Sequence, residues 1–474
     1  MKFELACNWD RGLLEGLKGY GPVELFGGIP GGIISGGRAS FVAPEITEAD
    51  AADYIKAARG DGHSFNFLLN ASCLDNREYR KDEFNKILKH IEWVASTGAD
   101  SVTVAIPYLL QIIKKHFPGL KVNVSSWARV ESVRRAQFFE EMGADAIVLS
   151  EEVNRDFRTL AAIRRAVRCK LILIANPGCI YGCPRSYYHA NVMTHGSQGG
   201  HESEGFLVDH CYFSCTKDKI KNPVEIIKIR WVRPEDVGEY EALGIDCLKI
   251  IDRYKTTEAL LGYLKAYQTR HFEGNFIEFL NLPRKKAFLP ANLKYLLRDE
   301  YINVDKLMEF ADITDYPVSD HIVLDNTKLP ANFINFFKTN DCATADCEAC
   351  GYCEMIARKA LAVDGRPLLE VISKYESLLE SLVSGSIYNS DEEPAPAAAS
   401  DAWDSDAEDL HKRILEHVPG LFRKIAARNV AGEIAGKANG GKVSRELVLD
   451  SWRSATPGPF KKEVEGIIKE LTRI

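Results

Sequence analysis

The sequence predicts an α/β fold in which parallel strands alternate with helices and close into a TIM-like (β/α)8 barrel. A small irregular α+β domain and a C-terminal helical domain follow it. Three observations carry this prediction. Apolar runs of strand length recur through residues 1–270, with helical patterns between most of them. The runs are continuous rather than alternating, which marks strands buried on both faces of a parallel sheet. Three helix-to-strand junctions also share one signature: Thr97-Gly98-Ala99-Asp100, Met142-Gly143-Ala144-Asp145 and Gly244-Ile245-Asp246. A glycine ends the helix and an apolar strand follows. About eight such units over this length is the size of a closed barrel. A doubly wound open sheet is the alternative, and no G-x-G-x-x-G follows a strand to support it.

In chain order, the expected strands are Lys2–Cys7, Val23–Phe26, Ser64–Asn70, Ser101–Ile106, Lys121–Ser125, Ala146–Leu149, Leu171–Ala175 and Cys247–Ile251. Between the third and fourth lies a helix over Phe84–Ala95, with Phe84, Ile87, Leu88, Ile91 and Val94 at helical spacing. Lys86, Lys89 and His90 fall on its polar face. Val130–Met142 is a second helix. Ile226–Val232 also reads as a strand, and is assigned to the excursion after strand seven. Residues 271–383 form a small cysteine-containing domain, aromatic-rich and ending in a helix over Glu354–Val383 that breaks near Asp364-Gly365-Arg366-Pro367. Residues 384–409 are acidic and rich in Ala, Pro and Ser, the composition of a flexible linker. Residues 410–474 are a small helical domain. Leu421, Phe422, Ile425, Val430 and Ile434 form its apolar stripe, Gly440-Gly441 a turn, and Val443–Trp452 another helix.

A formal charge of −7 and a pI near 6.0 give no global pull toward nucleic acid or anionic membrane. Acidic residues interrupt MKFELACNWD before any apolar core forms, so no signal peptide is expected. The longest uncharged stretches, 101–113 and 171–184, fall short of the roughly 17–25 residues of a membrane-spanning helix. A cytoplasmic protein is expected. In that reducing compartment clustered cysteines read as metal ligands or redox groups, not disulfides. Of the 12 cysteines, Cys7, Cys73, Cys169 and Cys247 stand alone in apolar contexts and read as small buried hydrophobes.

Barrels gather function where strands end and the following loops begin. The polar residues there are Asn8, Asp10, Asn70, Ser125, Ser126, Glu151, Glu152, Asn176, Asp252 and Arg253. Gly27–Gly37 (GGIPGGIISGG) follows strand two; it permits close backbone approach to a ligand, or is a plain flexible loop. The loop after strand seven is unusually long and holds two C-x3-C pairs, Cys179 with Cys183 and Cys211 with Cys215. His189, His195, His201 and His210 lie in or beside the gap. Four thiolates suit tetrahedral zinc or an iron–sulfur cluster. The position at a barrel mouth, the lack of a histidine at zinc-finger spacing, and the Cys183-Pro184 pair favour the cluster. A second set, Cys342, Cys347, Cys350 and Cys353, has C-x4-C-x2-C-x2-C spacing and suits a second cluster, zinc or a reactive thiol patch. Arg253, at a strand end, is a candidate carboxylate clamp or a surface ion-pair partner. Arg253, Glu151 and His189 are the candidate catalytic side chains, over a pocket floored by Asn70, Ser125, Glu151 and Arg253. The chain lacks H-E-x-x-H and G-x-S-x-G, which leaves hydrolase chemistry without a motif.

The NPGC-IYGCP segment after strand seven, the later Cys-Tyr-Phe-Ser-Cys, and LKIIDRYKTTEALLGYLKAY resemble the peptidase U-32 family over residues 1–270. Where that family typically has Lys-Ile-Glu-Gly-Arg, this chain has Lys249-Ile250-Ile251-Asp252-Arg253. The resemblance implies a TIM-like barrel and, beside the peptidase activity of the family name, an oxygen-independent hydroxylation enzyme acting on a small aromatic molecule or an RNA base. It implies a 4Fe-4S cluster on Cys179, Cys183, Cys211 and Cys215, and prephenate as candidate oxygen donor. A non-catalytic partner of a second iron–sulfur protein is a further alternative. Residues 410–474, through HVPGLFRKIAARNVAGEIAGKANGGKVSRELVLDSW, resemble the helical domain that ends light-independent protochlorophyllide reductase subunits.

Overall fold

The computed structural model describes residues 1–280, 282, 295, 298, 300–313, 317–388, 403–418, 420–439, 441–456 and 460–472. Strands β1 (Lys2–Ala6), β2 (Glu24–Gly27), β3 (Ser64–Leu69), β4 (Ser101–Val104), β5 (Lys121–Val124), β6 (Ala146–Val148), β7 (Lys170–Ile174) and β8 (Cys247–Ile250) pair in sequence order and close as a barrel. Every pairing is parallel, and β8 closes on β1 with Glu4 opposite Lys249. The helices that cover it are α1 (Arg11–Leu17), α2 (Glu48–Gly60), α3 (Lys81–Ser96), α4 (Pro107–His116), α5 (Val133–Glu141) and α6 (Phe157–Ala166). After β7 come α7 (Ser186–His195), α8 (His210–Lys221), α9 (Val224–Lys228) and α10 (Val237–Ala242), and after β8 α11 (Thr257–Thr269).

The shared junction signature has a physical basis. Gly98, Gly143 and Gly244 all take positive φ, the conformation that ends a helix in this way. The aspartate after each caps the neighbouring strand. Asp100 accepts from Phe65 N at 2.9 Å, Asp145 from Val122 N at 2.8 Å, and Asp246 from Leu171 N at 2.8 Å. Lys114 and Arg164 hold the last two carboxylates from the barrel's outer face. Each aspartate thus satisfies a strand-end N–H that would otherwise go unpaired.

The barrel lumen has two unlike sides. Toward β6, β7 and β8 it is filled by Ala146, Val148, Ile172, Ile174 and Cys247. Toward β1 through β4 it is polar: Glu4 pairs with Lys249, Thr103 donates to Asn66 at 2.8 Å, and Ser101 donates to Glu24 at 2.8 Å. Lys249 also lies over the Phe26 ring at 3.5 Å.

Two expectations fail here. Ile226–Val232 is not a strand. Its first half is the end of α9, and Trp231 and Val232 follow as buried extended chain, with Val232 N donating to Ala175 O. The apolar residues suit either state, and the Pro223 at the start tipped them into a helical turn. His90 does not face solvent. It is half-buried, stacks on Trp93 at 5.5 Å and meets Phe67 edge-on. Burial pushes its imidazole down to about 4.

The described chain divides into two compact units. One comprises Met1–Leu296 and Asp315–Glu376. In it the helix expected over Glu354–Val383 is interrupted: Tyr352–Ala360 ends, Leu361–Val363 pairs antiparallel with Ile322–Leu324, and a second helix starts at Gly365. Its aromatic centre joins Trp231, Phe333, Phe337 and Tyr352. The other unit comprises Leu297–Thr314 and Ser377–Ile474. Its core holds Leu410, Ile414, Val430, Ile434, Val448, Trp452 and Ile468. The side chains of Leu421, Phe422 and Ile425, Gly440, and residues 389–402 of the expected linker lie outside the described part. The helix Ser405–His417 begins within the stretch expected to be linker. No helix of the described chain is long and apolar enough to cross a membrane.

Candidate functional site at the barrel mouth

The excursion after β7 folds back over the C-terminal ends of the strands. Asn176 starts it as a bracket. Its Oδ1 accepts from Ile251 N at 2.9 Å, and its Nδ2 donates to Ile251 O and to Phe279 O. It is fully buried and holds the ends of β7 and β8 together. Further along, Gly199 N donates to Gly32 O at 2.9 Å, Gly196 O accepts from Ser40 N, and Ser197 hydrogen-bonds Ser35. Arg77 reaches Gly199 O from the loop after β3. Gly27–Gly37 is therefore a docking strip for the excursion. A Cβ on Gly199 would stand 2.0 Å from Gly31 O, so only glycine allows this approach.

Arg253 is buried at the end of β8 and donates to Gly36 O at 2.8 Å. Burial and the neighbouring Arg38 push it down to about 9, so it stays cationic at neutral pH. It is not a surface ion-pair partner. Arg38 pairs with Asp252 and lies over the Tyr254 ring, yet among the described residues its buried Nε has no partner. Asn70 approaches Gly37, and among the described residues its buried Oδ1 is also without one. Such unpaired buried atoms at a strand-end mouth are places where a ligand can complete the hydrogen bonding.

Cys179 stands between these arginines and a second pair. Arg129 binds Glu151 at 2.9 Å, both side chains buried, and Cys179 feels Glu151, Cys215, Lys219 and Arg129; Arg38 feels it in turn. Cys179 is accessible to solvent. Lys219, buried on α8, donates to Gly178 O at 2.7 Å and fixes the loop just before it. Glu152 accepts from Gly182 N at 2.9 Å and fixes the loop just after it. Cys211, buried on α8, lies in the field of Asp209, Arg185, Cys183 and Cys215. Burial raises the Cys179 thiol and pushes the Cys211 thiol up to about 11, so both are protonated in the metal-free chain. Among the described residues no three Cys, His, Asp or Glu side chains converge closely enough to hold an ion as they stand. What the fold supplies is a donor set of four thiols on one excursion, ringed by Arg38, Arg129, Arg185 and Lys219. Positive surroundings suit a centre that carries negative charge once its thiols are deprotonated.

The other expected residues separate by role. His189 pairs through Nε2 with Asp209 at 2.9 Å, which also caps α8 and feels Arg38 and Cys211. His195 instead stacks on His201 at 4.5 Å. Ser125 accepts from Trp127 N, Asn8 donates to Lys255 O, and Asp10 caps α1; these are fastenings of the loops. Cys7 is fully buried against Trp9 and Tyr54, its thiol pushed up to about 12 by burial, and behaves as a core residue. Arg38, Arg129, Lys219 and Asp209 were not foreseen. Arg38 directly follows the glycine strip, a signal that was legible; Arg129 sits in left-handed backbone, which was not.

A recess opens beside the first cysteine pair. It has a volume of about 610 Å³ and is lined by Arg129, Glu152, Tyr181, Cys183, Arg230 and Cys342 among others. One cysteine of each set, Cys183 and Cys342, far apart in sequence, thus lines the same cavity.

The model of peptidase family U32 matches residues 36–273. The chain belongs to peptidase family U32. An uncharacterized protease of Methanocaldococcus jannaschii is 32% identical over 266 residues, spanning 55% of this chain and 76% of that protein. The solved structure of the U32 peptidase Mk0906 is 22% identical, covers 52% of this chain and 92% of that one, and has a TM-score of 0.40. The U32 stretch contains Arg38, Asn70, Arg129, Glu151, the four cysteines of the β7 excursion and Arg253. It ends before Cys342.

Proposed function

We propose that this U32 protein is an iron–sulfur enzyme that binds a carboxylate-bearing substrate at the barrel mouth and acts as an oxygen-independent hydroxylase-type oxidoreductase. The observation that carries the reading is the cationic pair of buried Arg253 and half-buried Arg38, the latter in the field of Cys179. Two guanidiniums at a strand-end recess recognise a carboxylate with paired hydrogen bonds. Cys179, Cys183, Cys211 and Cys215 would hold a 4Fe-4S cluster, which exchanges single electrons when bound. Arg38 and Arg253 orient the substrate. The Arg129–Glu151 pair keeps a charged, hydrogen-bonding wall beside Cys179. Asp209 hydrogen-bonds Nε2 of His189 and so orients its imidazole. A carboxylate oxygen donor such as prephenate fits the two arginines, and a small aromatic molecule or RNA base is the acceptor class. The peptidase reading rests on the name of the family, because the mouth is built around arginines and thiols.

Anaerobic purification with iron and sulfide quantitation and EPR tests the reading. Iron and sulfide in cluster proportion, lost in a Cys179→Ala/Cys215→Ala variant, are expected. A colourless protein with stoichiometric zinc would sink it. Arg253→Gln should raise the KM for a carboxylate substrate on the order of 10- to 100-fold.

A further inference from the structure

We propose that Cys342, Cys347, Cys350 and Cys353 form a second, thiolate-held metal centre, outside the U32 stretch, with Cys342 lining the same cavity as Cys183. The set stands on geometry and charge. Cys347 and Cys350 lie three apart on the short helix Cys347–Cys350, which puts both thiols on one side. Gly351, at φ +60°, ends that helix and turns the chain at once into the helix Tyr352–Ala360. Cys353 thereby returns toward Cys347 and Cys342 and lies in the field of both.

The charge around them is what the thiols would answer. Arg155 and Arg230 are both buried, 2% and 5% exposed, and each feels the other's charge. Among the described residues, neither has a carboxylate at ion-pair distance. Arg155 donates only to the carbonyls of Trp231 and Ile227 and stacks over the Trp231 ring at 4.1 Å. Arg230 stacks over the Tyr181 ring at 3.6 Å and lies against the Cys342 thiol, and among the described residues its buried Nε has no partner. Lys228, paired with Glu225 at 2.8 Å, is a third cation near Cys347 and Cys353. Asp236 lies near Arg155 and Glu152 near Arg230, but neither at ion-pair distance, so the two adjacent buried guanidiniums keep positive charge that a closer anion would offset. Four thiols that give up their protons to solvent on binding a divalent metal or an iron–sulfur core leave a net negative centre, which supplies it. Cys347 and Cys350 are exposed, so metal can reach them from solvent. Cys183 and Cys342 both line the same cavity, so an occupant of it can reach one cysteine of each set.

The metal is iron of an iron–sulfur core or zinc; both use the same thiolates, and the measurement separates them. The full chain is purified anaerobically with iron, sulfide and zinc supplied, and metals and acid-labile sulfide are counted. The parent, Cys347→Ser/Cys350→Ser, and Cys179→Ala/Cys215→Ala are compared, with circular dichroism checking each fold. The expected result is that the Cys347/Cys350 variant loses one centre's metal while the Cys179/Cys215 variant keeps it. Iron with sulfide in that fraction identifies a cluster, and zinc without sulfide a zinc site. Arg230→Gln should weaken retention of the same fraction during dialysis against chelator. The proposal is overturned if the Cys347/Cys350 variant holds as much metal as the parent, or if all four thiols of the set react freely with a thiol reagent in the loaded protein. A parent whose only metal is lost in the Cys347/Cys350 variant supports this proposal and sinks the β7 cluster instead.

Discussion

The two cysteine sets of this protein are built on different foundations. The first rides on the excursion after β7, fastened to the loops after β2 and β3 and to the ends of β7 and β8, with Cys211 buried. The second rides on a short helix and a glycine turn, with Cys347 and Cys350 exposed. Both are ringed by arginine and lysine. Charge at a site is therefore supplied by neighbours that either foundation can reach, whereas rigidity comes only from the barrel. The first set should be sensitive to damage in the barrel and its loops, the second insensitive to it.

Lys249→Met gives the largest expected effect. It strands Glu4 without its partner inside the lumen and should cost about 3–5 kcal/mol in denaturant unfolding. Glu4→Leu added to it should recover most of the loss. If metal at the first set survives the single variant unchanged, the first set does not depend on the barrel as argued. Next is Asp236, buried beside Arg233 and Arg155 on the second set's side, its carboxyl pushed up to about 6 by burial. A carboxyl raised in the folded state favours folding below its unfolded value near 4, and that contribution is lost as pH rises through about 6. Asp236→Asn should remove up to about 3 kcal/mol of that decline, read as the difference between the two stability–pH curves. Identical slopes would contradict it. Gly199→Ala, forcing a Cβ onto Gly31 O, should cost about 1–3 kcal/mol and loosen metal at the first set alone. The smallest effect is expected for Cys347→Ser/Cys350→Ser in metal-free protein, within about 0.5 kcal/mol of the parent, because both side chains are exposed. A larger loss would show that the second set is part of the fold's foundation after all.

Much of the fold was legible because it is local. Continuous apolar runs and the three glycine junctions anticipated all eight barrel strands, and the junction aspartates proved to be strand caps. Ile226–Val232 misled because apolar spacing over so few residues suits both helix and strand. His90 misled because a half-buried imidazole on Trp93 looks polar in sequence. Of the site, the cysteines and Arg253 could be named from type and position, whereas no motif or spacing singles out Arg129 and Arg230.

The sequence by itself determined the alternation of strands and helices, the strand order and the presence of two thiol sets. Those properties depend on residue type and on spacing along the chain, and both are written there. Only the tertiary structure decided that Arg38 and Arg253 meet at the mouth, that Arg155 and Arg230 are buried side by side, and that Cys183 and Cys342 face one cavity. Those pairs are distant in sequence, and their charges interact because barrel closure and the β7 excursion bring them together in a medium where water screens them little.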